Sequence, residues 1–458
     1  MDKFFGLLMY AIMLPVLIII GVVLANETKP KKNIILGVTM PYEARTDVQV
    51  AEICAAFRRR VRLWTIFAAI MGVPMLFLPW FSVQLTVFIV WTMIVIVVPN
   101  LFYIKANLAL KALKKARGWF APSGRTETWV DMGVAVREHK PLSQWLFVPP
   151  LIISLIPVVL ALTTHKSEQT TAWVILGLSF AGTVLMSWLI YPIIFRLRTD
   201  VVGSDTSVNA ALTNVRRVNW GRAWIYIAWT TALLGLFAWL LRDSGAWQLI
   251  IMCLYTLVLT GLCVWTELGV RRSQEELTAA SGEYIDEDEN WPLGMFYYNP
   301  NDRHLTVNDR VGMNMSVNMA RPLGKILMGA VALLLVAMPF LGVWMMGIEF
   351  SPRRVEISGS EIVVTHLSEQ FSLSPADIDS AELIEELPKR SRIVGTGMDT
   401  LSEGRYSIEG YGDCIICLDP TESPYIVLKT DTGIYIFNAE TPEETRADFE
   451  KIRSETNA

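Results

Sequence analysis

Few residues in this chain have the type and spacing to do chemistry. Cys414 and Cys417 form a C-x-x-C, the spacing of a redox pair or of half a zinc site. On a strand, residues three apart face opposite sides and lie about 10 Å from each other, whereas a disulfide needs Cα atoms within roughly 7 Å. No second C-x-x-C or suitably spaced His pair accompanies them, so both read as buried strand cysteines. The acidic run Asp286 to Glu289 lacks the spaced carboxylates and the Gly of a calcium loop; it reads as a solvated linker, with metal binding the minor alternative. His139, His165, His304 and His366 are isolated, and no nucleophile elbow, Walker loop or His-Glu-x-x-His helix is present. The expectation is a protein without enzymatic activity, cofactor or metal.

The remaining cluster lies in the stretch from Asp286 to Arg321, which is neither an apolar run nor an ordinary linker. Its Tyr298-Asn299-Pro300-Asn301-Asp302 is a turn signal, because Pro fixes its own φ and Asn and Asp side chains bond nearby backbone groups. Met295 to Tyr298 and Leu305 to Val307 are expected to flank it as a short hairpin. Trp291, Phe296, Tyr297 and Tyr298 would then lie at headgroup level, as aromatic belts do. Asp302, Arg303 and Arg310 have the charges of a partner or headgroup site, against the plainer reading of a salt-bridged loop.

The elements that position this stretch are apolar. The 458 residues are 52% hydrophobic and 18% charged, with 16 Trp, and the mean hydropathy is +0.39. That composition excludes an ordinary soluble enzyme and fits a polytopic membrane protein. Eight runs approach or exceed the roughly 18 residues that cross a bilayer as helix: Phe4 to Ala25, Leu63 to Leu78, Val83 to Tyr103, Trp145 to Leu162, Trp173 to Ile194, Ala223 to Leu241, Trp247 to Thr266 and Ile326 to Met346. The first is read as a retained span rather than a cleaved signal peptide, since it exceeds the usual signal core and is followed by Lys29, Lys31, Lys32, Arg45 and Arg58 to Arg60. Gly177 and Ala181 offer a small-residue helix contact.

Lys and Arg concentrate in Glu27 to Arg62, Lys105 to Lys140, Arg196 to Arg222 and Arg271 to Lys325, while the alternate loops hold only Lys166 and Arg242. The basic loops are therefore expected in the cytoplasm, with the amino terminus outside and, after eight spans, the carboxy-terminal region outside as well. Asp47 is placed to cap a helix from Val48 into the second span. Lys105 to Trp119 is expected along the inner leaflet or as a simple basic flank. No Asp, Glu, Lys, Arg or His lies within an apolar run away from its ends, which lowers the case for an ion-coupled transporter.

The domain layout that follows is a seven-helix membrane region over 1–268, a central cytoplasmic module over 269–325, a last transmembrane helix over 326–348 and a β-rich domain over 349–458. In that last domain VEISGSEIVVT reads as strand, Ser-Gly turn and strand, with further strands at Arg405 to Ile408, Cys414 to Leu418, Tyr425 to Lys429 and Ile434 to Asn438. Thr441, Pro442 and Glu444 announce a closing helix with Phe449 and Ile452 turned inward. The domain's acidic balance argues against nucleic acid or direct anionic-lipid binding.

Trp291, Gly294, Phe296, Tyr297, Asn299, Pro300, Asp302, Arg310, Gly312 and Asn318 match in order the W-x-x-G-x-F/Y-Y-x-N-P-x-D module, R-x-G and Asn of an uncharacterised bacterial multi-spanning family, which this chain resembles over most of 1–346. Gly37-Val38-Thr39-Met40-Pro41 looks like that family's first loop. The family looks distantly related to the sporulation-delaying-protein immunity proteins, which implies resistance to a secreted toxin and signalling of its presence. Thr163 to Ala172 departs from that group in lacking its extended His, Phe, Asn and Gly pattern. Antiparallel strands closed by one helix, with the R-x-x-G-T-G run Arg392 to Gly397, resemble a bacterial pleckstrin-homology-like domain, a fold of small binding modules. The expected role is envelope peptide or stress sensing or immunity; the alternatives are a transporter or lipid-handling protein and a membrane assembly scaffold. Membrane lipids and a peptide or protein are the expected partners, and the oligomeric state stays open.

Overall fold

The computed structural model describes residues 2–120, 141–163, 168–197, 199–281, 285–310, 315–359, 361–367 and 369–456. Among them eight helices are long and apolar enough to cross a membrane: α1 (Asp2–Asn26), α2 (Val48–Gly72), α3 (Phe81–Arg117), α4 (Val148–Thr163), α5 (Glu168–Arg196), α6 (Thr206–Leu240), α7 (Gly245–Ser281) and α8 (Pro322–Glu349). Each expected apolar run falls on one of them, short 3-10 turns completing the second and fourth. Asp47 caps α2, its carboxylate accepting from the Gln49 amide at 2.8 Å, and Asp205 caps α6 through Ser207 at 2.7 Å.

The chain forms two bodies. The larger comprises residues 8–73 and 91–335. In it α4 packs on α5 and α6, and α6 on α7, around Phe147, Val184, Tyr191, Ile225 and Ala228. Gly177 of α5 stands where an added Cβ would strike the Val158 side chain of α4, so the small residue sets the helix approach. A second apolar cluster joins Leu24 of α1, Phe57 and Val61 of α2 and Tyr103 and Leu110 of α3 to the first loop, where β1 (Ile34–Ile35) pairs antiparallel with β2 (Val38–Thr39).

Two expectations are corrected in this body. β3 (Thr306–Asn308) pairs with β4 (Met315–Val317), and not with Met295 to Tyr298; Tyr297 instead forms a lone parallel bridge with Asn318. Of the two readings of Lys105 to Trp119, the one along the inner leaflet is corrected: Lys105 to Arg117 continues α3, and its Asn107, Leu110 and Lys114 are buried.

The smaller body comprises residues 2–7, 74–90 and 336–456. Its β-region holds a three-stranded antiparallel sheet, β5 (Arg353–Ser358), β6 (Glu361–His366) and β7 (Glu369–Leu373). A six-stranded sheet follows from β8 (Ile378–Ile384), β9 (Arg390–Gly397), β10 (Ser402–Ile408), β11 (Gly412–Leu418), β12 (Tyr425–Thr430) and β13 (Gly433–Phe437), in the order β8-β12-β13-β11-β10-β9. All pairs are antiparallel except β11 with β13, which is parallel and departs from the expected antiparallel set. α9 (Pro442–Thr456) starts where the Thr441 hydroxyl accepts from the Glu444 amide at 3.2 Å, and it seals the core with Ile452 and Phe449. Cys414 and Cys417 are buried on opposite faces of β11, in separate apolar clusters, as strand alternation requires.

Candidate functional site

The central stretch and the first loop meet over one face of α3. Tyr103, Asn107, Lys111 and Lys114 follow helical spacing and so line a single stripe. The Tyr103 hydroxyl donates to the Gly294 carbonyl at 3.3 Å and the Asn107 amide to the Leu36 carbonyl at 2.7 Å. Lys111 donates to the carbonyls of Asp288 (3.2 Å) and Trp291 (2.9 Å). Each captured turn is left-handed at two successive residues, Leu36-Gly37 with φ of 46° and 72° and Leu293-Gly294 with φ of 56° and 75°. A Cβ on Gly37 would run into the Tyr103 hydroxyl and the Gly294 carbonyl, so glycine permits the close approach as well as the φ.

Beyond the stripe, three carboxylates act as nodes. Asp288 accepts from the Thr39 amide (3.0 Å) and hydroxyl (2.9 Å), from Arg310 (2.6 Å) and from Lys114 (2.6 Å), and Lys114 also pairs with Asp286 at 2.6 Å. Glu267 of α7 accepts from Lys31 (3.0 Å), from Arg271 (2.9 Å) and from the Trp220 indole (3.1 Å); Arg271 reaches Glu27 at 2.6 Å. Asp200 receives Lys32, the Asn308 amide at 2.8 Å and the Gln274 amide at 3.0 Å, with Arg216 at 3.8 Å. A cavity of about 100 Å³ lies among these groups, lined by Lys31, Lys32, Asp200, Trp291, Tyr297 and Arg310.

Burial sets the electrostatics of this junction. It pushes the Asp288 carboxyl up, but Arg310 and Lys114, by charge and hydrogen bond, outweigh it and hold the group below its ordinary value. Burial likewise opposes ionisation of Asp200, and Lys32, Arg216 and the Asn308 hydrogen bond reverse the effect. For Lys31 the balance falls the other way: burial, with Arg271 and Arg216 nearby, exceeds the pull of Glu267 and lowers its pKa to about 8. With several donors on each node, the arrangement clamps backbone segments together.

The motif residues take three places in this framework. Trp291, Gly294, Tyr297, Asn299, Asp302, Arg310 and Asn318 are buried. The Tyr297 hydroxyl donates to Asp302 at 2.8 Å, and the Asn318 amide donates to the carbonyls of Asn299 (2.9 Å) and Asp302 (3.1 Å) and accepts from the Asn299 amide (3.1 Å). Trp291 lies 4.9 Å from Tyr297 and 5.2 Å from the Arg310 guanidinium, a cation–π contact. Pro300 and Arg303 are exposed, and Gly312 lies outside the described residues.

Two expectations are thereby corrected. Trp291 and Tyr297 form a core and not a headgroup belt; Asp286 and Asp288 are buried ion-pair nodes and not a solvated linker. Of the three charged motif residues, Asp302 and Arg310 are buried, Arg310 in an ion pair with Asp288, and Arg303 is exposed. Sequence reading missed Lys31, Lys32, Asp200, Glu267, Arg271 and the α3 stripe. The signal available was charge at the ends of the apolar runs, notably the Glu267/Arg271 i,i+4 pair.

In the smaller body the β-region supplies caps to two apolar helices. The first turn of α3 has orphan amides. Asp399 accepts from the Phe81 amide at 2.8 Å, and Glu349, at the end of α8, accepts from the Ser82 amide at 3.2 Å and from the Asp399 amide at 3.2 Å. At the end of α8 the Ile348 carbonyl, which already accepts from the Ser351 amide at 3.4 Å, also accepts from His366 Nε2 at 3.2 Å, while His366 Nδ1 lies 2.8 Å from Glu403.

Comparison of the chain with protein-family models, with curated proteins and with solved structures found no match.

Proposed function

We propose that this is a multi-pass bacterial cell-membrane protein that senses, or protects against, an envelope-active peptide or stress, without enzymatic chemistry. The observation that carries the reading is the capping of α3 by Asp399 and of α8 by His366. A domain built of two sheets and a closing helix, in the manner of a pleckstrin-homology-like binding module, thereby adds hydrogen bonds at the ends of two apolar helices. Whatever changes that domain's conformation changes the helix ends directly. The resemblance of the central module to the immunity-related family supports the same reading.

The membrane placement is supported by the wide apolar exposure of the helices, such as Leu333, Leu334 and Phe340 on α8. By charge count the four basic loops are cytoplasmic and the amino terminus and β-region are outside. The convergence of the first loop, the α3 end, Asp200, the start of α6, the end of α7 and the central module in one charged junction is consistent with a shared side for those loops.

Deleting the gene and challenging cells with producer-strain bacteriocins and envelope antibiotics tests the proposal. Survival or the transcriptional response is expected to fall for at least one agent, and complementation by Asp399→Ala is expected to be defective at normal protein level. Unchanged survival and transcription across the panel would remove the proposal.

A further inference from the structure

Between the two sheets of the β-region lies a cavity of about 180 Å³, lined by Val364 and Phe371 of β6 and β7 and by Glu403, Gly404, Ile415, Ile416 and Cys417 of β10 and β11. Among the described residues its one charged side chain, Glu403, is 8% exposed. Glu403 Oε2 faces His366, but Oε1 is buried with no hydrogen-bond donor among the described residues. A buried acceptor left in this way costs free energy that a donor would recover.

The protonation of the pair follows from its contacts. His366 Nε2 faces the Ile348 carbonyl, which can only accept, so Nε2 carries a proton. One more proton lies between Nδ1 and Oε2, which are 2.8 Å apart. Whether it rests on the imidazole or on the carboxyl, the pair sums to zero charge. A cation entering the cavity would find no net countercharge from it, whereas a neutral O–H or N–H would satisfy Oε1. The rest of the lining is aliphatic, aromatic or thiol, and a cavity of roughly 150 Å³ is enough for a benzene ring.

We infer that this cavity is a binding site for a small, uncharged, largely apolar molecule carrying one O–H or N–H donor, which Glu403 Oε1 recognises. The site deepens the sensing reading and rests on it for its physiological meaning. Because His366 joins Glu403 to the end of α8, occupancy of the cavity acts on the same histidine that caps that helix.

The test uses the full chain in lipid nanodiscs and 19F NMR with two probes, 4-fluorophenol and fluorobenzene. Saturable binding of the phenol is expected, about tenfold tighter than that of fluorobenzene, which is the scale of one buried hydrogen bond. Val364→Trp, which fills the cavity, is expected to abolish saturable binding of both probes, and Glu403→Met to bring their affinities together. The comparison of probes on the unaltered protein needs no variant to fold. Equal affinities there would overturn the inference, the Oε1 acceptor then being served by buried water. Signals no greater than those of empty nanodiscs would overturn it too. Binding that stands while deletion leaves survival unchanged would instead remove the sensing role and keep the site.

Discussion

The junction around Asp288, Glu267 and Asp200 buries charge, whereas the β-region buries hydrocarbon. In the first, segments as distant as Lys31 and Glu267, or Thr39 and Asp288, are joined through carboxylates that each take several donors. In the second, Ile362, Val364, Ile426, Leu428, Phe437 and Ile452 pack together with Cys417, and the buried His366–Glu403 pair sits at the margin. Buried ion pairs are a poor source of net stability, because desolvation consumes most of their attraction. They are exacting about geometry and partner. The difference teaches that the junction specifies which loops meet, while the β-region is held by packing that tolerates gradual change.

Removing one partner should separate the two regions most sharply. Asp288→Ala strands Arg310 and Lys114 in a buried site and is expected to cost about 3–5 kcal/mol, seen as a lower thermal midpoint and loss of monodisperse protein. A midpoint within a degree of the original would break the contrast, since the node would then carry no strain when emptied. Leu428→Ala in the β-region should cost about 2–5 kcal/mol by leaving a cavity, read as faster proteolysis within 350–456 while 8–73 and 91–335 stay resistant. Equal acceleration in both bodies would show that packing, too, is shared between them.

A smaller effect separates the regions by pH. Lys31 has a folded pKa of about 8 against an ordinary 10.5, so between those values the unfolded chain binds more protons. The stability of the junction is therefore expected to rise from pH 8 to 10.5, and Lys31→Met should flatten that rise. The depressed Asp288 and Asp200 work at the other end. Their contribution is complete above about pH 4 and is lost as pH falls through their lowered values. Chemical denaturation across both ranges checks the signs. The smallest effect belongs to Arg303, exposed beside the buried Asp302: Arg303→Ala should change stability by no more than about 0.5 kcal/mol. A larger loss would mean that the exposed motif residue is part of the clamp.

What could be read in advance follows the range of the interactions. Apolar runs, the Asp47 cap, the β5–β6 turn and the Thr441-Pro442 helix start are local, and periodicity and capping chemistry reveal them. The motif of the central stretch was visible, and so was Gly37, but not that the two glycine turns are gripped by Tyr103 and Asn107. That contact joins positions 103 and 294 and leaves no periodic trace. The same limit hid the role of Asp286 and Asp288. Consecutive acidic residues look solvated until Lys114 and Arg310 are brought to them. The parallel β11–β13 pairing was equally hidden, because alternation along a strand says which face is buried but not which neighbour it takes.

That last pairing has a consequence for synthesis on the ribosome. β13 fills the slot between β11 and β12, so the edge of β11, Gly412–Leu418, has its neighbour only after residues 433–437 are made. Until then the apolar Cys414 to Leu418 strand presents unpaired amides and carbonyls on one side, the kind of edge that templates association between chains. The nascent domain is thus most exposed to aggregation in the interval between the release of β11 and the docking of β13 beside it.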